Sequence, residues 1–130
     1  MKVVLAMGCF DLLHAGHLRH LEEARSMGDF LVVGLTVDAH VGKHGRPIIP
    51  QDERRELLRG LRCVSVVYLC KDSIEALEQW EPQIFCKGHD YLEKGLLPEE
   101  LEFCSKHGIE IRYTKYNPQT TSSIIDRIRQ

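Results

Sequence analysis

At 130 residues, 43% of them hydrophobic, the chain is long enough for one compact domain spanning 1–130 and too short for two of ordinary size. Its formal net charge of −2, from 17 basic and 19 acidic residues, excludes a globally basic surface for nucleic acid or an anionic membrane, so any phosphate recognition must be local. Met1 runs straight into an apolar segment, with no basic leader and no apolar run of about eighteen residues, which predicts a cytoplasmic protein.

In chain order, short runs rich in β-branched residues predict strands at Val3 to Met7, Phe30 to Thr36, Val64 to Leu69, Ile84 to Cys86 and Ile109 to Tyr113. The first helix begins near His14, carries Leu18, Leu21 and Ala24 on one stripe, and closes at Met27, Gly28 and Asp29. Further helices are predicted at Asp52 to Arg62, Ser73 to Glu81, Pro98 to His107 and Thr121 to Arg129. Strands alternating with helices imply an α/β fold, a single doubly wound parallel sheet. Three irregular stretches remain, Val41 to Gln51, Lys87 to Leu97 and Thr114 to Thr120, and all three are expected to flank a site at the carboxyl ends of the strands.

Cys9, Cys63, Cys70, Cys86 and Cys104 are odd in number and widely spaced, with no CxxC pair. They read as reduced thiols rather than a disulfide framework or a zinc site. Cys9 sits in the most informative segment, where a small packed thiol fits better than a nucleophile.

That segment is GCFDLLHAGH, Gly8 to His17. A buried strand followed by a turn and an amphipathic helix presents backbone N–H groups and a helix N-terminus to an anion. His14 and His17, at i and i+3, share a helical face, so both can donate to neighbouring phosphate oxygens. The spacing alone fits equally well one capping or core histidine beside an exposed one. A zinc reading would recruit His20, but the three imidazoles step around the helix and no HExxH glutamate accompanies them. For transfer of a nucleotidyl group, positive donors at the reacting centre would supply most of the effect, because the α-phosphorus must mainly be held in line between an incoming oxygen and the departing pyrophosphate.

GCFDLLHAGH resembles the GxFDxxHxGH signature of the cytidylyltransferase-like nucleotidyltransferases. Lys43 and Arg46, the run DERRELLRGLRCV from Asp52 to Val64, KGHDY from Lys87 to Tyr91, and QTTSSII from Gln119 to Ile125 agree with that family in order and spacing. The resemblance covers essentially the whole chain and implies a Rossmann-like nucleotidyltransferase fold. It implies that His14 and His17 stabilise the phosphates in the transition state and that Lys43 contacts phosphate from a loop. Gly8, Cys9, Phe10 and Asp11 then line the floor, and Gly16 admits close approach of the nucleotide. Arg54 lies near the acceptor end, and Lys87, Gly88 and Asp90 meet the nucleoside. Thr120, Thr121 and Ser122 match a hydroxyl-rich motif at the last helix. Each has a plainer reading as loop charge, wet helix face, turn or cap. Relatives carry Arg–Thr–Glu–Gly before those hydroxyls, where this chain has Lys115, Tyr116, Asn117 and Pro118; Lys115 brings charge without the planar fork of Arg, and Pro118 replaces a flexible Gly.

KGHDY and GRPIIPQDER look more like heptose-phosphate adenylyltransferases than like glycerol-3-phosphate cytidylyltransferases. The leading expectation is transfer of AMP from ATP to a sugar 1-phosphate. A cytidylyltransferase acting on an alcohol phosphate, an FAD-forming enzyme and a regulatory nucleotide-binding module are the alternatives. Mg²⁺ is implied, bound through substrate phosphates and water with no protein ligand nominated. A homodimer is implied by the resemblance, and no nucleic-acid or membrane partner is expected.

Overall fold

The computed structural model describes residues 1–42, 45–115 and 121–130. Its centre is a five-stranded sheet in the order β3-β2-β1-β4-β5, with every pairing parallel. The strands are β1 (Val3–Gly8), β2 (Phe30–Thr36), β3 (Val66–Cys70), β4 (Ile84–Lys87) and β5 (Glu110–Tyr113). The helices are α1 (Ala15–Ser26), α2 (Gln51–Arg59), α3 (Ser73–Trp80), α4 (Tyr91–Lys94), α5 (Pro98–His107) and α6 (Thr121–Arg129).

Alternation along the central strands divides the core in two. Val4, Ala6, Leu31, Val33, Leu35, Ile84 and Cys86 face Leu21 and Ala24 of α1 and Leu58 of α2. Leu5, Val32 and Phe85 face Ala76 and Leu77 of α3 and Cys104 of α5. Because both faces are covered, the strands read as continuous apolar runs, the pattern that made them visible in the sequence. Each fully buried Leu, Ile or Phe contributes about 1.5–3 kcal/mol. The winding reverses between β1 and β4, which leaves a crevice at their carboxyl ends.

Two boundaries differ from expectation by more than one residue, and one helix was not expected. Helix α2 stops at Arg59, not Arg62: Gly60 takes the C-cap, and its N–H reaches back to Leu57 and Leu58. The turn that follows lets Leu61, Cys63 and Val64 pack against the core. Strand β3 starts at Val66 because Val64 is still bonded to the Leu61 carbonyl within that turn. The stretch Lys87 to Leu97, expected to be irregular, contains α4, which ends at Gly95 with φ of 75°; a four-residue helix is too short to show a periodic apolar face.

Candidate active site

The motif Gly8 to His17 lies at the carboxyl end of β1, beside the reversal. A Cβ on Gly8 would stand 2.9 Å from Cε2 of Phe10, so glycine is needed for that ring to fold back over the strand end. Phe10 and Leu12 both adopt left-handed backbone, with φ of 46° and 52°. This conformation is costly for such side chains, on the order of 1 kcal/mol or more each, and it turns Asp11 between them into the interior. Asp11 is fully buried. Its carboxylate accepts from Arg46 Nε at 2.6 Å and from the N–H groups of Ile48 and Ile49 at 2.9 Å each. Burial alone would raise its pKa, but the two backbone donors and the Arg46 guanidinium together hold it below the ordinary carboxylate value. Asp11 therefore anchors the 46–49 segment to the motif. The Thr121 hydroxyl donates to the Asp11 carbonyl at 2.8 Å and docks the start of α6 on the same residue.

His14 is the N-cap of α1. Its Nδ1 accepts from the Gly16 N–H at 2.9 Å, while Nδ1 of His17 accepts from the His14 N–H at 3.2 Å. The two imidazoles thus form a reciprocal capping box, and their rings stack 3.9 Å apart. Phe10 meets His17 edge-on at 5.4 Å. Since each Nδ1 is an acceptor, the ring proton of each neutral imidazole belongs on Nε2. Nε2 of His14 is buried and has no hydrogen-bond partner among the described residues. A buried N–H donor without a partner is costly in a free protein, and a ligand oxygen would relieve it.

Both rings favour the neutral form. Burial lowers the pKa of His14. Burial, reinforced by His14, His20 and Arg46 and opposed by Asp11, pushes His17 down to about 3. Against the expectation of positively charged donors, the ligand-free site favours neutral N–H dipoles, because burial disfavours charge on both rings and each added charge would repel the neighbouring imidazole and Arg46.

Arg54 differs most from its expected position at the acceptor end. It is 1% exposed. Its Nε donates to the Ile49 carbonyl, Nη1 donates to the carbonyls of Cys9 and Thr36, and Nη2 donates to Asp38. Four of the five guanidinium N–H donors are thus taken by the protein. Arg54 laces the ends of β1 and β2 to the 46–49 segment; its guanidinium is not presented to a ligand. Arg46, which the sequence offered as a basic position matching the family, is the ion-pair partner of Asp11.

At the end of β4, Lys87 is buried, pairs with Glu100 at 3.6 Å, and holds its ammonium 4.0 Å above the Tyr91 ring. Burial lowers its pKa, and Glu100 opposes the shift. Lys87 ties β4 to α5 rather than facing solvent. A Cβ on Gly88 would lie 2.8 Å from Oδ1 of Asp90, the end of an exposed side chain that would have to shift aside. Asp90 is exposed and pairs with Lys94 at 3.0 Å. Lys115 and Ser122 are exposed, and Gly16 is buried. Lys43 and Thr120 lie outside the described residues, as does Pro118. Sequence reasoning missed Glu100, Asp38 and Glu23. Only Glu100 left a signal, as the glutamate three residues after the N-cap Leu97, whose N–H it accepts.

Among the described residues no group of three or more His, Cys, Asp or Glu side chains could hold a metal ion. Both Asp11 oxygens are already engaged. No helix among the described residues is long and apolar enough to cross a membrane.

A doubly wound parallel sheet with N–H donors and a helix N-terminus converging at its reversal defines a nucleotide-binding α/β protein. More particularly, the chain is a nucleotidyltransferase and belongs to the cytidylyltransferase-like family, whose model matches residues 5–127. It is 35% identical over 133 residues to the bifunctional protein HldE of Pelobacter propionicus and 36% identical over 135 residues to that of Helicobacter pylori. These alignments cover 98% and 99% of this chain but 27% and 28% of those proteins, so the chain spans about a quarter of the relatives' length. Among solved structures, a lipopolysaccharide core biosynthesis protein from Thermoplasma volcanium superposes with a TM-score of 0.76 at 31% identity, over 90% of this chain and 99% of that one. Pantothenate synthetase from Thermus thermophilus, at 16% identity and a TM-score of 0.61 over 88% of this chain and 55% of that one, shares the fold.

Proposed function

We propose that this nucleotidyltransferase moves AMP from ATP to a sugar 1-phosphate, giving an ADP-sugar and pyrophosphate. The observation that carries nucleotidyl transfer is the fixed pair of imidazoles at the β1 end, with a buried N–H on His14 Nε2 that has no partner among the described residues. The choice of ATP and of a sugar phosphate rests on the likeness of KGHDY and GRPIIPQDER to heptose-phosphate adenylyltransferases. The relative from Thermoplasma volcanium, described as acting in lipopolysaccharide core biosynthesis, fits a sugar-phosphate acceptor.

In this reading an oxygen of the acceptor phosphate attacks the α-phosphorus, the bond to the bridging oxygen of the β-phosphate breaks, and pyrophosphate leaves with that electron pair. The acceptor needs no strong base, because a phosphate monoester with a second pKa of about 6 is ionised near pH 7. Asp11 is not that base, since its carboxylate is held by three donors. His14 and His17 donate from Nε2 to the phosphate oxygens as charge builds on them, each worth on the order of 3 kcal/mol. Incoming phosphate charge favours protonation of both rings. Lys43 would add positive charge at the leaving phosphates, and Thr121 and Ser122 stand at the N-terminus of α6. Mg²⁺ enters as part of the substrate, held by the triphosphate and water, and neutralises phosphate charge. Arg54 serves this site by holding the Cys9 carbonyl, not by touching the acceptor.

The test is a matrix of ATP, CTP, GTP and UTP against sugar 1-phosphates, glycerol 3-phosphate, phosphocholine and FMN, read by pyrophosphate release with His14→Ala as control. ATP with a sugar 1-phosphate should stand out. Turnover only with CTP and an alcohol phosphate would replace the proposal with the cytidylyltransferase reading, and nucleotide binding without any release would leave a regulatory module.

A further inference from the structure

His20, the second histidine within α1 after its N-cap His14, has no part in the phosphate chemistry, yet it is tied down. His20 Nδ1 lies 2.8 Å from the Thr114 hydroxyl, ninety-four residues away in the chain. Thr114 is only 4% exposed, and its N–H donates to the Lys87 carbonyl at 3.0 Å. One residue further, the Lys115 N–H donates to Glu23 Oε1 at 3.0 Å. Three hydrogen bonds, two from α1 and one from β4, therefore converge on the two residues that follow β5.

Strand β5 is the sheet edge and pairs with β4 alone. The chain leaves it at Thr114, and α6 begins at Thr121, bonded to the Asp11 carbonyl beside β1. One anchor follows β5 and the other sits beside the end of β1, the two strands that flank β4. Both anchors belong to one unit, since Asp11 leads into α1 and His20 and Glu23 lie on it. The same helix carries His14 and His17 at its first turn.

We infer that His20 is a positioning residue for nucleotide binding, which it serves by clamping Thr114 to the helix that bears the phosphate-binding imidazoles. Lys115, whose backbone Glu23 fixes, then departs from a rigid point. Without the clamp, ordering the end of β5 would be charged against nucleotide affinity, because immobilising free backbone opposes binding. In the sequence His20 stood out only as a candidate metal ligand, whereas in the structure its ring is bonded to the Thr114 hydroxyl.

This rests on the nucleotidyl-transfer reading only for the identity of the probe, Mg·ATP, whose dissociation constant is measured by calorimetry without acceptor. His20→Phe keeps a ring but removes the bond, and Thr114→Val keeps the shape but removes the hydroxyl. Each should weaken Mg·ATP about fivefold, the scale of one net hydrogen bond. The double variant should be no weaker than either single one, and Thr114→Ser should restore binding, a rescue that a merely structural role for the threonine methyl would not give. In turnover, KM for ATP should change more than kcat. Wild-type affinity in Thr114→Val, multiplicative losses in the double variant, or a Thr114→Ser protein as weak as Thr114→Val would each overturn the inference. A wild-type protein that binds Mg·ATP but releases no pyrophosphate would sink the transfer reading while leaving the coupling between His20 and Thr114 decided by the same titrations.

Discussion

The carboxyl ends of β1 and β4 lie side by side and use polar groups in opposite ways. At β1 the carboxylate and the guanidiniums are closed off among themselves, Asp11 with Arg46 and Arg54 with four backbone and side-chain acceptors, while the neutral imidazoles keep a donor without a partner among the described residues. At β4 the one buried cation, Lys87, is sealed by Glu100 and the Tyr91 ring, and the carboxylate beside it, Asp90, stands in solvent. Charge inside this fold is structural, and what is left for the ligand is neutral or exposed. Substitutions at the two ends should therefore separate into losses of activity and losses of stability.

The largest effect belongs at β1. His17→Asn keeps an acceptor for the His14 N–H but removes the Nε2 donor, and kcat should fall about 10²–10³-fold, as for loss of one preorganised donor. The same variant carries a pH signature. Folding lowers the His17 pKa from 6.5 to about 3, so between those values the unfolded chain binds a proton that the folded chain refuses. The stability it represents is complete above about pH 6.5 and is lost as pH falls toward 3. His14 and His20 shift in the same direction. Thermal unfolding of nucleotide-free protein between pH 7 and 4 should show a shallower fall for His17→Asn than for wild type; identical slopes would mean that this imidazole is solvated.

At β4 the expected loss is of folding. Lys87→Met leaves Glu100 buried without its partner, a situation that costs about 3–5 kcal/mol. Lys87→Met combined with Glu100→Leu should recover most of that loss in urea denaturation, since an apolar pair of similar volume replaces the ion pair. If Lys87 instead contacts nucleotide, the double variant would refold well and still fail to bind ATP.

The contrast also explains what could be read in advance. Strands buried on both faces announce themselves through β-branched runs, and the histidine pair sits in a motif whose spacing survives in one dimension. The internal bonding of Arg54 and Lys87 was hidden because their partners are invisible in a linear reading. Arg54 is bonded mostly to carbonyls of Cys9, Thr36 and Ile49, which carry no residue identity and converge only when β1, β2 and the following segment are folded. The protonation state of His14 and His17 was equally hidden, since it depends on which nitrogen each backbone N–H reaches. Helix α4 escaped because four residues cannot display a face.

The smallest effect makes the finest distinction. Asp90 is the one member of the β4 group whose carboxylate stands exposed, and its pairing with Lys94 at i,i+4 spans 3.0 Å between exposed side chains. Such a pair contributes only about 0.3–0.5 kcal/mol, so Asp90→Asn should barely move the urea midpoint. A carboxylate that accepts from ribose hydroxyls would nevertheless be missed in binding, because an amide offers one acceptor where the carboxylate offers two. The expected outcome is a several-fold rise in KM for ATP with stability and kcat nearly unchanged. Lys94→Gln separates the two roles: it breaks the same ion pair, and if KM rises equally in that variant, the carboxylate works through its orientation by Lys94 and not through solvent-facing freedom alone.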